Sequence, residues 1–312
     1  MNSNNVPTEP AAKREGLSAG DPIGIFDSGM GGLTVARAIV DALPDESIIY
    51  MGDTKRCPYG VRTREEVSEF VRQIGFWFMR RHVKMIVIAC NTATASALPM
   101  AQRTFGVPVI GVIEPGARAA IQATRNGRVG VIATPLTIRS DSYAEAIHQF
   151  DAGVSVVSLA TPDFVPLVED ELSTGAYLHD DWRHNNTVFM SEQARSVVGR
   201  SLEPLRGSGI DTLVLGCTHY PLLAPAIRAT LGPGVRLVSS AEETTRELVE
   251  TLGRRGQLAP EGSPVTYRFA TTADDITAFA AAGQFIFGRT LDSIEKVGTD
   301  ELERLGASRP CA

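Results

Sequence analysis

The sequence lacks any long hydrophobic run. No apolar stretch approaches the roughly 18 residues needed to span a bilayer, and residues 1–21 lack the apolar core of about 7–15 residues that marks a secretory signal. Both absences argue against a membrane protein and against an exported one. We therefore expect a cytoplasmic protein without a membrane partner.

A surplus of positive charge is also missing. Thirty Lys and Arg residues stand against thirty-six Asp and Glu residues, which gives a formal net charge of −6 at pH 7. Proteins that bind a phosphate backbone usually carry clustered basic residues and a positive charge. The composition therefore predicts no nucleic-acid partner.

Cysteine and lysine are both rare. The four cysteines form no disulfide framework and no paired metal-binding spacing, and in a reducing compartment they are expected as free thiols: Cys57, Cys90, Cys217 and Cys311. None of the four lysines lies in a recognisable Schiff-base site of a pyridoxal enzyme. Any chemistry of the cysteines should therefore come from the thiol itself, and we assign no role to Cys311.

The amino-acid composition is that of a folded protein. Apolar residues make up 43% and charged residues 21% of the sequence, and both fractions are close to globular averages. The chain of 312 residues is long enough for two domains. Residues 1–21 are polar and show no sustained period, so we predict a flexible N-terminal tail.

After the tail, short apolar runs alternate with longer amphipathic segments. PIGIFD precedes LTVARAIVDAL, ESIIYMGD precedes TREEVSEFVRQIGFWFMRRH, and KMIVIAC precedes TATASALPMAQRTF. This alternation predicts an α/β fold in which mainly parallel sheets are flanked by helices.

The pattern then starts again. RVGVIATPLTIRSDSYAEAI has the same order of apolar run, polar break and helix as PIGIFDSGMGGLTVARAI, and DTLVLGCTHYPLLAPAI matches MIVIACNTATASALPMA in the same way. We therefore expect two similar α/β lobes, the first from residues 22–115 with 224–312 and the second from residues 116–223. Ligands bind beyond the carboxyl ends of strands in such sheets, so we predict a site in the cleft between the lobes.

Cys90 and Cys217 occupy equivalent places in these two lobes. Each follows an apolar run and precedes a helical segment. Backbone N–H groups and the positive end of a helix dipole stabilise a thiolate there, so we expect a lowered thiol pKa at both positions. One such cysteine is more often a small buried apolar residue, but two in matching places indicate a function.

Three kinds of site are compatible with these cysteines and His219. One thiol and His219 could form a nucleophile–base couple, although a residue two positions further on does not automatically face the thiol. The three side chains could bind zinc, although the paired C-x-x-C spacing is missing. Two thiols on opposite sides of a substrate could instead move a proton from one face of a carbon atom to the other. Only this third arrangement explains the duplication.

Five stretches carry the most specific motifs of the chain. They are GIFDSGMGGLTV at 24–35, GDTKRCPYG at 52–60, ACNTATA at 89–95, FVPLVED at 164–170 and LGCTHYPLL at 215–223. In their order and spacing they resemble the glutamate racemase family, over residues 22 to about 297. DSGMGGL and CTHYP favour glutamate over the related aspartate and hydantoin racemases. The resemblance implies two Rossmann-like lobes with the active site between them.

The resemblance also implies an activity. Members of the family are isomerases that interconvert L- and D-glutamate without a cofactor, and the D-form feeds peptidoglycan synthesis and so cell shape. By the motif match, Cys90 and Cys217 are the two acid/base residues. One thiolate removes the α-proton while the opposite thiol protonates the planar carbanion from the other side. Cys90 is expected to act on D-glutamate and Cys217 on L-glutamate.

The same motifs imply which residues surround the substrate. Asp27 is expected to assist Cys90, His219 to assist Cys217, and Glu169 to add a further carboxylate. The groups expected to hold the ammonium and carboxylates of the amino acid are Asp27, Ser28, Tyr59, Gly60, Asn91, Thr92, Thr218 and His219. Such donors would also stabilise an enolate-like transition state.

Several expectations stay open at this point. Cys57 and Val61 flank PYG where the family more often has a small apolar residue and a polar one, and 160–162 reads ATP where a Cys-Pro pair is usual. A third thiol near the site could be oxidation-sensitive. The resemblance implies a homodimer, and residues 1–21 resemble extensions of members that a cell-wall precursor activates. Alternatives are a racemase for another acidic amino acid and a non-catalytic amino-acid-binding or regulatory protein.

Overall fold

The computed structural model describes residues 17–175, 181–184 and 189–307. Most of the predicted N-terminal tail, residues 1–16, and the fourth cysteine, Cys311, lie outside these ranges. Among the described residues, no helix combines the length and the apolarity needed to cross a membrane.

Strands and helices alternate along the described chain, as the periodicity predicts. The strands are β1 Ile23–Asp27, β2 Ile48–Gly52, β3 Met85–Ile88, β4 Val109–Gly111, β5 Arg128–Ala133, β6 Ser155–Ala160, β7 Thr212–Gly216, β8 Arg236–Ser239, β9 Tyr267–Thr271 and β10 Ile294–Lys296. The helices are α1 Leu33–Ala42, α2 Arg64–Met79, α3 Asn91–Thr104, α4 Ile113–Ala123, α5 Pro135–Arg139, α6 Ser142–Phe150, α7 Phe164–Ser173, α8 Glu192–Ser201, α9 Ala224–Leu231, α10 Ala241–Arg255, α11 Ile276–Phe287 and α12 Thr299–Ala307.

The strands form two sheets. A six-stranded sheet has the order β10-β9-β2-β1-β3-β4, and a four-stranded sheet has the order β6-β5-β7-β8. All strand pairs are parallel. Strands β1, β2, β3 and β7 are buried along their whole length, as parallel strands covered by helices on both faces should be. The predicted fold class is confirmed.

The course of the chain after residue 224 differs from the sequence prediction at one strand. The sequence predicts that all of residues 224–312 belong to the first lobe, and β9 and β10 do join the six-stranded sheet. However, β8 pairs with β7 in the four-stranded sheet, so its assignment to the first lobe is wrong. Helix α9 is a short crossover from β7, and such connections return the chain to the neighbouring parallel strand. The remaining domain boundaries stay a prediction.

One apolar cluster of the core spans both sheets. A single cluster of buried side chains includes Ile25 and Val87 of the six-stranded sheet together with Leu213 and Leu215 of the four-stranded sheet. Burying these side chains removes apolar surface of both lobes from water, which holds the lobes against each other.

A buried ion pair lies at the amino ends of the strands in the six-stranded sheet. Lys84, directly before β3, is fully buried, and its Nζ lies 2.6 Å from Oε2 of Glu46. The same ammonium donates to the carbonyl oxygens of Ala19 and Gln257, while Oε1 of Glu46 accepts the N–H of Ala259 at 2.8 Å. One cation therefore ties the start of the described chain and the loop after α10 to the base of the sheet.

Candidate active site

Cys90 and Cys217 lie directly beyond the carboxyl ends of strands in different sheets. Cys90 follows β3 and is the N-cap residue of α3. Cys217 follows β7 and precedes a 3-10 helix at Tyr220–Leu223 rather than an α-helix. Both cysteines line the same cavity. The topology thus brings together the pair that the sequence analysis singled out.

The cavity between these cysteines is small. Its volume is about 20 Å³, close to the space that one water molecule needs. It is lined by Ser28, Pro58, Tyr59, Gly60, Cys90, Asn91, Thr92, Thr134, Val165, Cys217, Thr218 and His219. All expected site residues except Asp27 and Glu169 are in this wall. The sequence patterns assign no role to Pro58, Thr134 or Val165, which also lie in the wall.

The surroundings of Cys90 raise the pKa of its thiol. Burial is the largest cause, and the charge of Asp27 adds to it, whereas the N–H of Ala93, 3.4 Å from the sulfur, and Ser28 oppose it. The predicted lowering of the pKa is therefore wrong for Cys90, because desolvation of a thiolate outweighs the helix N-terminus. Cys90 is a protonated thiol at neutral pH.

Asp27 lies beneath the cavity wall. The residue is fully buried at the end of β1. Its Oδ2 accepts the N–H of Gly29 at 3.1 Å, and its Oδ1 accepts from Oγ1 of Thr218 at 3.3 Å. Asp27 therefore holds the loop that follows Cys217 while its charge acts on Cys90.

His219 connects Cys217 to Glu169. Its Nδ1 lies 3.8 Å from the Cys217 sulfur, and its Nε2 lies 3.3 Å from Oε1 of Glu169. The second contact suits an ion pair, although its direction lies outside hydrogen-bond geometry. Burial lowers the pKa of His219, but Cys217 and Glu169 outweigh burial and hold that pKa well above its usual range. For Glu169, burial raises the pKa, but the contacts with His219 and Cys57 outweigh burial and bring that pKa below its usual range.

Cys57 is a third thiol at the edge of the site. Its sulfur donates to Oε1 of Glu169 at 3.5 Å. Burial and the negative charge of Glu169 raise the pKa of Cys57 far above its usual range. The thiolate is the form that oxidants attack, so this environment argues against the oxidation sensitivity that the sequence suggested.

A buried polar cluster holds Tyr59 in the cavity wall. The Tyr59 hydroxyl donates to Oδ2 of Asp53, which also accepts Nε of Arg56 at 2.6 Å. Oδ1 of Asp53 accepts from Oγ1 of Thr272 at 2.9 Å. Asp53 stands inside the GDTKRCPYG motif, but its role could not be predicted from the sequence because its partner Thr272 is distant along the chain.

Threonine hydroxyls join the two lobes beside the cavity. Oγ1 of Thr92, in α3, is hydrogen-bonded to Oγ1 of Thr134 at 2.8 Å and to Oγ1 of Thr137 at 3.2 Å. Thr134 and Thr137 are themselves 3.0 Å apart. A Cβ atom added at Gly60 would lie 2.5 Å from Cβ of Thr134, so only glycine fits there.

The residues that depart from the family pattern have different surroundings. Val61 is 70% exposed, so it adds nothing to the cavity wall. Thr161, in the segment 160–162, is fully buried and donates to the Tyr220 hydroxyl at 2.8 Å. This hydrogen bond holds the 3-10 helix that follows Cys217.

The zinc alternative has no support in the described part of the chain. No group of three or more His, Cys, Asp or Glu side chains there could hold a metal ion. The couple of Cys217 and His219 does exist, but it accounts for only one of the two cysteines in the cavity.

Comparisons with known proteins agree on one family. The family model for Asp/Glu/Hydantoin racemase matches residues 23–248. A glutamate racemase of Geobacter metallireducens is 45% identical over 278 residues, which cover 89% of this chain and 97% of that protein. The crystal structure of a glutamate racemase isoform of Bacillus anthracis matches with a TM-score of 0.79 at 42% identity, covering 89% of this chain and 97% of that one.

A further structural match carries ligands. The glutamate racemase of Escherichia coli, crystallised with L-glutamate and the activator UDP-MurNAc-Ala, has a TM-score of 0.70 at 31% identity. The match covers 89% of this chain and 98% of that one.

Proposed function

The chain belongs to the Asp/Glu/Hydantoin racemase family and is an amino-acid racemase; on that basis we propose that it interconverts L- and D-glutamate with two thiols. The observation that carries this proposal is the pair Cys90 and Cys217, which come from different sheets and line one cavity. The D-glutamate produced would serve peptidoglycan synthesis, as the family resemblance implies.

In the proposed reaction each thiol serves one face of the α-carbon. The Cys217 thiolate removes the α-proton of L-glutamate, and the electron pair of the broken C–H bond is delocalised into the α-carboxylate. The Cys90 thiol then gives its proton to the opposite face, which yields D-glutamate. Because its pKa is raised, Cys90 carries the proton that this step needs. The imidazolium of His219 would stabilise the Cys217 thiolate.

The reverse direction requires Cys90 to lose its proton. Glutamate carries one ammonium and two carboxylates, so it favours the Cys90 thiolate where its ammonium lies nearer to the sulfur than its carboxylates do. Ser28 and the N–H of Ala93, which already lower the pKa of Cys90, would assist. Cys90 would then remove the α-proton of D-glutamate, and Cys217 would return one to the other face.

The cavity wall supports an amino acid with two carboxylates. No Lys or Arg side chain is among the described residues that line it, so neutral donors, together with the imidazolium of His219, would hold the carboxylates. Amide and hydroxyl donors are present on Ser28, Asn91, Thr92, Thr134 and Thr218. The cavity has room for little more than one water molecule, so we infer that its walls move apart to admit glutamate. Closure would then exclude water from the carbanion.

Isotope exchange tests the proposal. The reduced protein is incubated in heavy water, without added cofactor, with L-glutamate and separately with D-glutamate, and circular dichroism and α-deuterium are followed. We expect both enantiomers to reach the same racemic endpoint with deuterium on the α-carbon. No exchange from either enantiomer in folded protein would refute the enzyme proposal. Turnover of aspartate without glutamate would refute only the substrate.

Cysteine variants test the assignment of the pair. Cys90→Ala and Cys217→Ala should each lose about 10²–10⁴-fold in racemisation, the range that a general acid or base contributes. Cys311→Ala controls for removal of a thiol and should keep the wild-type rate. Near-normal turnover in either cavity variant would refute the pairing.

We also propose a cell-wall-precursor activator, with UDP-MurNAc-Ala as the probe. A second cavity, of about 1040 Å³, lies between α1, α4, α9, β8 and α10. Five arginines are among its lining residues: Arg37, Arg183, Arg228, Arg236 and Arg246. Arg37 is buried, and its Nη1 has no hydrogen-bond partner within the described ranges. Three of them already pair with carboxylates, Arg37 with Asp181, Arg183 with Asp41 and Arg246 with Glu243. Arg228 and Arg236, together with the open Nη1 of Arg37, are the groups that suit a ligand with a diphosphate.

A physical connection links this second cavity to the first. Thr34, Leu215 and Pro221 line it, and the last two flank Cys217. Oγ1 of Thr34 also lies 3.5 Å from the carbonyl oxygen of Thr218. We expect UDP-MurNAc-Ala to raise the racemisation rate, and Arg228→Ala to weaken this response while the unstimulated rate stays. No response of the wild-type protein would refute the activator.

The homodimer is proposed from the family resemblance alone. Light scattering after size-exclusion chromatography tests it. A mass near 67 kDa, about twice the 33.4 kDa of one chain, is expected, and a mass of one chain at assay concentration would refute it.

A further inference from the structure

Tyr143 lies beside the proposed substrate groups, although no motif pointed to it. It stands on α6 of the second lobe and is 3% exposed. Its hydroxyl donates to Oδ1 of Asn91, in the first lobe, at 2.6 Å. Burial raises the pKa of the Tyr143 phenol, so the hydroxyl keeps its proton. Tyr143 is therefore a permanent donor to the Asn91 amide.

The Asn91 amide is left with one unused group. Asn91 lines the cavity and is 3% exposed. With its oxygen occupied by Tyr143, its Nδ2 has no hydrogen-bond partner within the described part of the chain. A buried donor without a partner is destabilising, so such groups in a site are usually kept for a ligand. A glutamate carboxylate is an acceptor of the required kind.

The ring of Tyr143 fits its place because two glycines leave room for it. A Cβ atom at Gly116, in α4, would lie 3.1 Å from the Tyr143 hydroxyl oxygen. A Cβ atom at Gly216, directly before Cys217, would lie 3.0 Å from a ring carbon of Tyr143. The phenol is thus held between α4 and the end of β7, next to one proposed acid/base residue.

We propose that Tyr143 is a positioning residue for the racemisation: it fixes the Asn91 amide so that Nδ2 is presented to a carboxylate of glutamate. An amide has nearly equal shape in its two orientations, so only its hydrogen bonds select one. Without the phenol hydroxyl the amide can turn over and present its oxygen to the carboxylate, which repels it. The inference rests on the proposed glutamate site.

Kinetics of Tyr143→Phe test this role. The variant keeps the ring and loses only the hydroxyl, so we expect folded protein whose KM for both enantiomers rises about 3- to 10-fold, with a smaller change in kcat. In an Asn91→Ala background the same substitution should change KM no further, because the two residues act as one unit. An equal KM increase in both backgrounds, or an unchanged KM in the wild-type background, would overturn the proposal.

Two further variants separate positioning from packing. Asn91→Asp keeps an acceptor for Tyr143 but removes the amide donor, so it should weaken glutamate binding more than Tyr143→Phe does. Tyr267→Phe removes a hydroxyl that accepts from Arg289 at the surface, and should leave KM unchanged. If KM changed as much in Tyr267→Phe, the effect would not belong to the site.

The experiment also distinguishes this inference from the proposed function. If the wild-type protein bound glutamate without racemising it, the enzyme proposal would fail. The positioning role would still be measured by calorimetric titration with glutamate, where Tyr143→Phe should weaken binding in the Asn91 background and not in Asn91→Ala. Equal affinity of the wild-type protein and Tyr143→Phe would refute it.

Discussion

Glu169→Gln should lower the pKa of His219 and so change the pH range of activity. The substitution keeps the size of the side chain and removes its charge. In the wild-type structure Oε1 of Glu169 lies 3.3 Å from Nε2 of His219 and stabilises the imidazolium. Removing the carboxylate therefore removes one of the two groups that hold the pKa of His219 up, while Cys217 remains.

The distance sets the size of the effect. Two unit charges 3.3 Å apart interact by about 5 kcal/mol at an effective dielectric constant of about 20 and by about 1 kcal/mol in bulk water. A third of the Glu169 side chain, 33%, is exposed, so solvent screening brings the value towards the lower limit. At about 1.4 kcal/mol per pKa unit, we expect the pKa of His219 to fall by about one to two units.

Nuclear magnetic resonance of the imidazole nitrogens measures this pKa directly. The chain has five histidines, and the His219 signals are identified by their loss in His219→Asn. In parallel, kcat/KM for L-glutamate is measured against pH, and we expect its basic limb to move to lower pH by the same one to two units. Asp170→Asn, an exposed neighbour on α7 with the same charge change, is the matched control and should change neither quantity.

The ion pair of His219 and Glu169 should also make the free energy of unfolding depend on pH. The pKa of His219 is raised by folding, so its contribution is complete below its usual pKa and is lost as pH rises through the raised value. The pKa of Glu169 is lowered, so its contribution is present above its usual pKa and is lost as pH falls through the lowered value. The wild-type protein should therefore exceed Glu169→Gln in stability between these limits, with the difference shrinking at both ends. An unchanged pKa of His219 in folded Glu169→Gln would refute the reasoning.

Three further predictions concern single positions. Gly31→Ala should lose at least tenfold in racemisation, measured by polarimetry, because its Cβ would lie 2.5 Å from Oγ1 of Thr218; wild-type turnover would contradict this contact. Lys84→Met should lower the free energy of unfolding in urea by about 3–5 kcal/mol by leaving Glu46 buried and unpaired, and a loss below about 1 kcal/mol would show that the pair is solvated. Cys57→Ala should change kcat/KM less than about threefold, since a thiol is a weak donor, and a larger loss would give Cys57 a part in the reaction.

The sequence predicted those parts of the candidate site that follow from residues close together along the chain. Cys90 and Cys217 follow buried strands, and parallel strands place their carboxyl ends at one edge of a sheet, so both positions could be located from apolar runs alone. The family motifs added the neighbouring polar groups. The element that was assigned to the wrong lobe, β8, is a short strand whose partner is chosen by the crossover before it rather than by its own residues.

What the sequence could not predict depends on how the lobes pack. Tyr143 and Asn91 are 52 residues apart, and Thr92 and Thr134 are 42 apart, so neither hydrogen bond has a local pattern. The pKa of Cys90 was predicted in the wrong direction because the helix N-terminus is visible in the sequence, whereas the burial of the thiol is a property of the assembled cavity.

The threonine contacts between the lobes bear on the free energy that opening of the site would require. Thr92, Thr134 and Thr137 are neutral, and each hydroxyl can serve as donor or as acceptor. Water can take the place of any of the three partners without separating opposite charges, so parting this seam is a small and reversible exchange of hydrogen bonds. With an ion pair at the same place, two opposite charges would have to separate before the lobes could part. Hydroxyl contacts here therefore suit the repeated opening of the site that the proposed function requires.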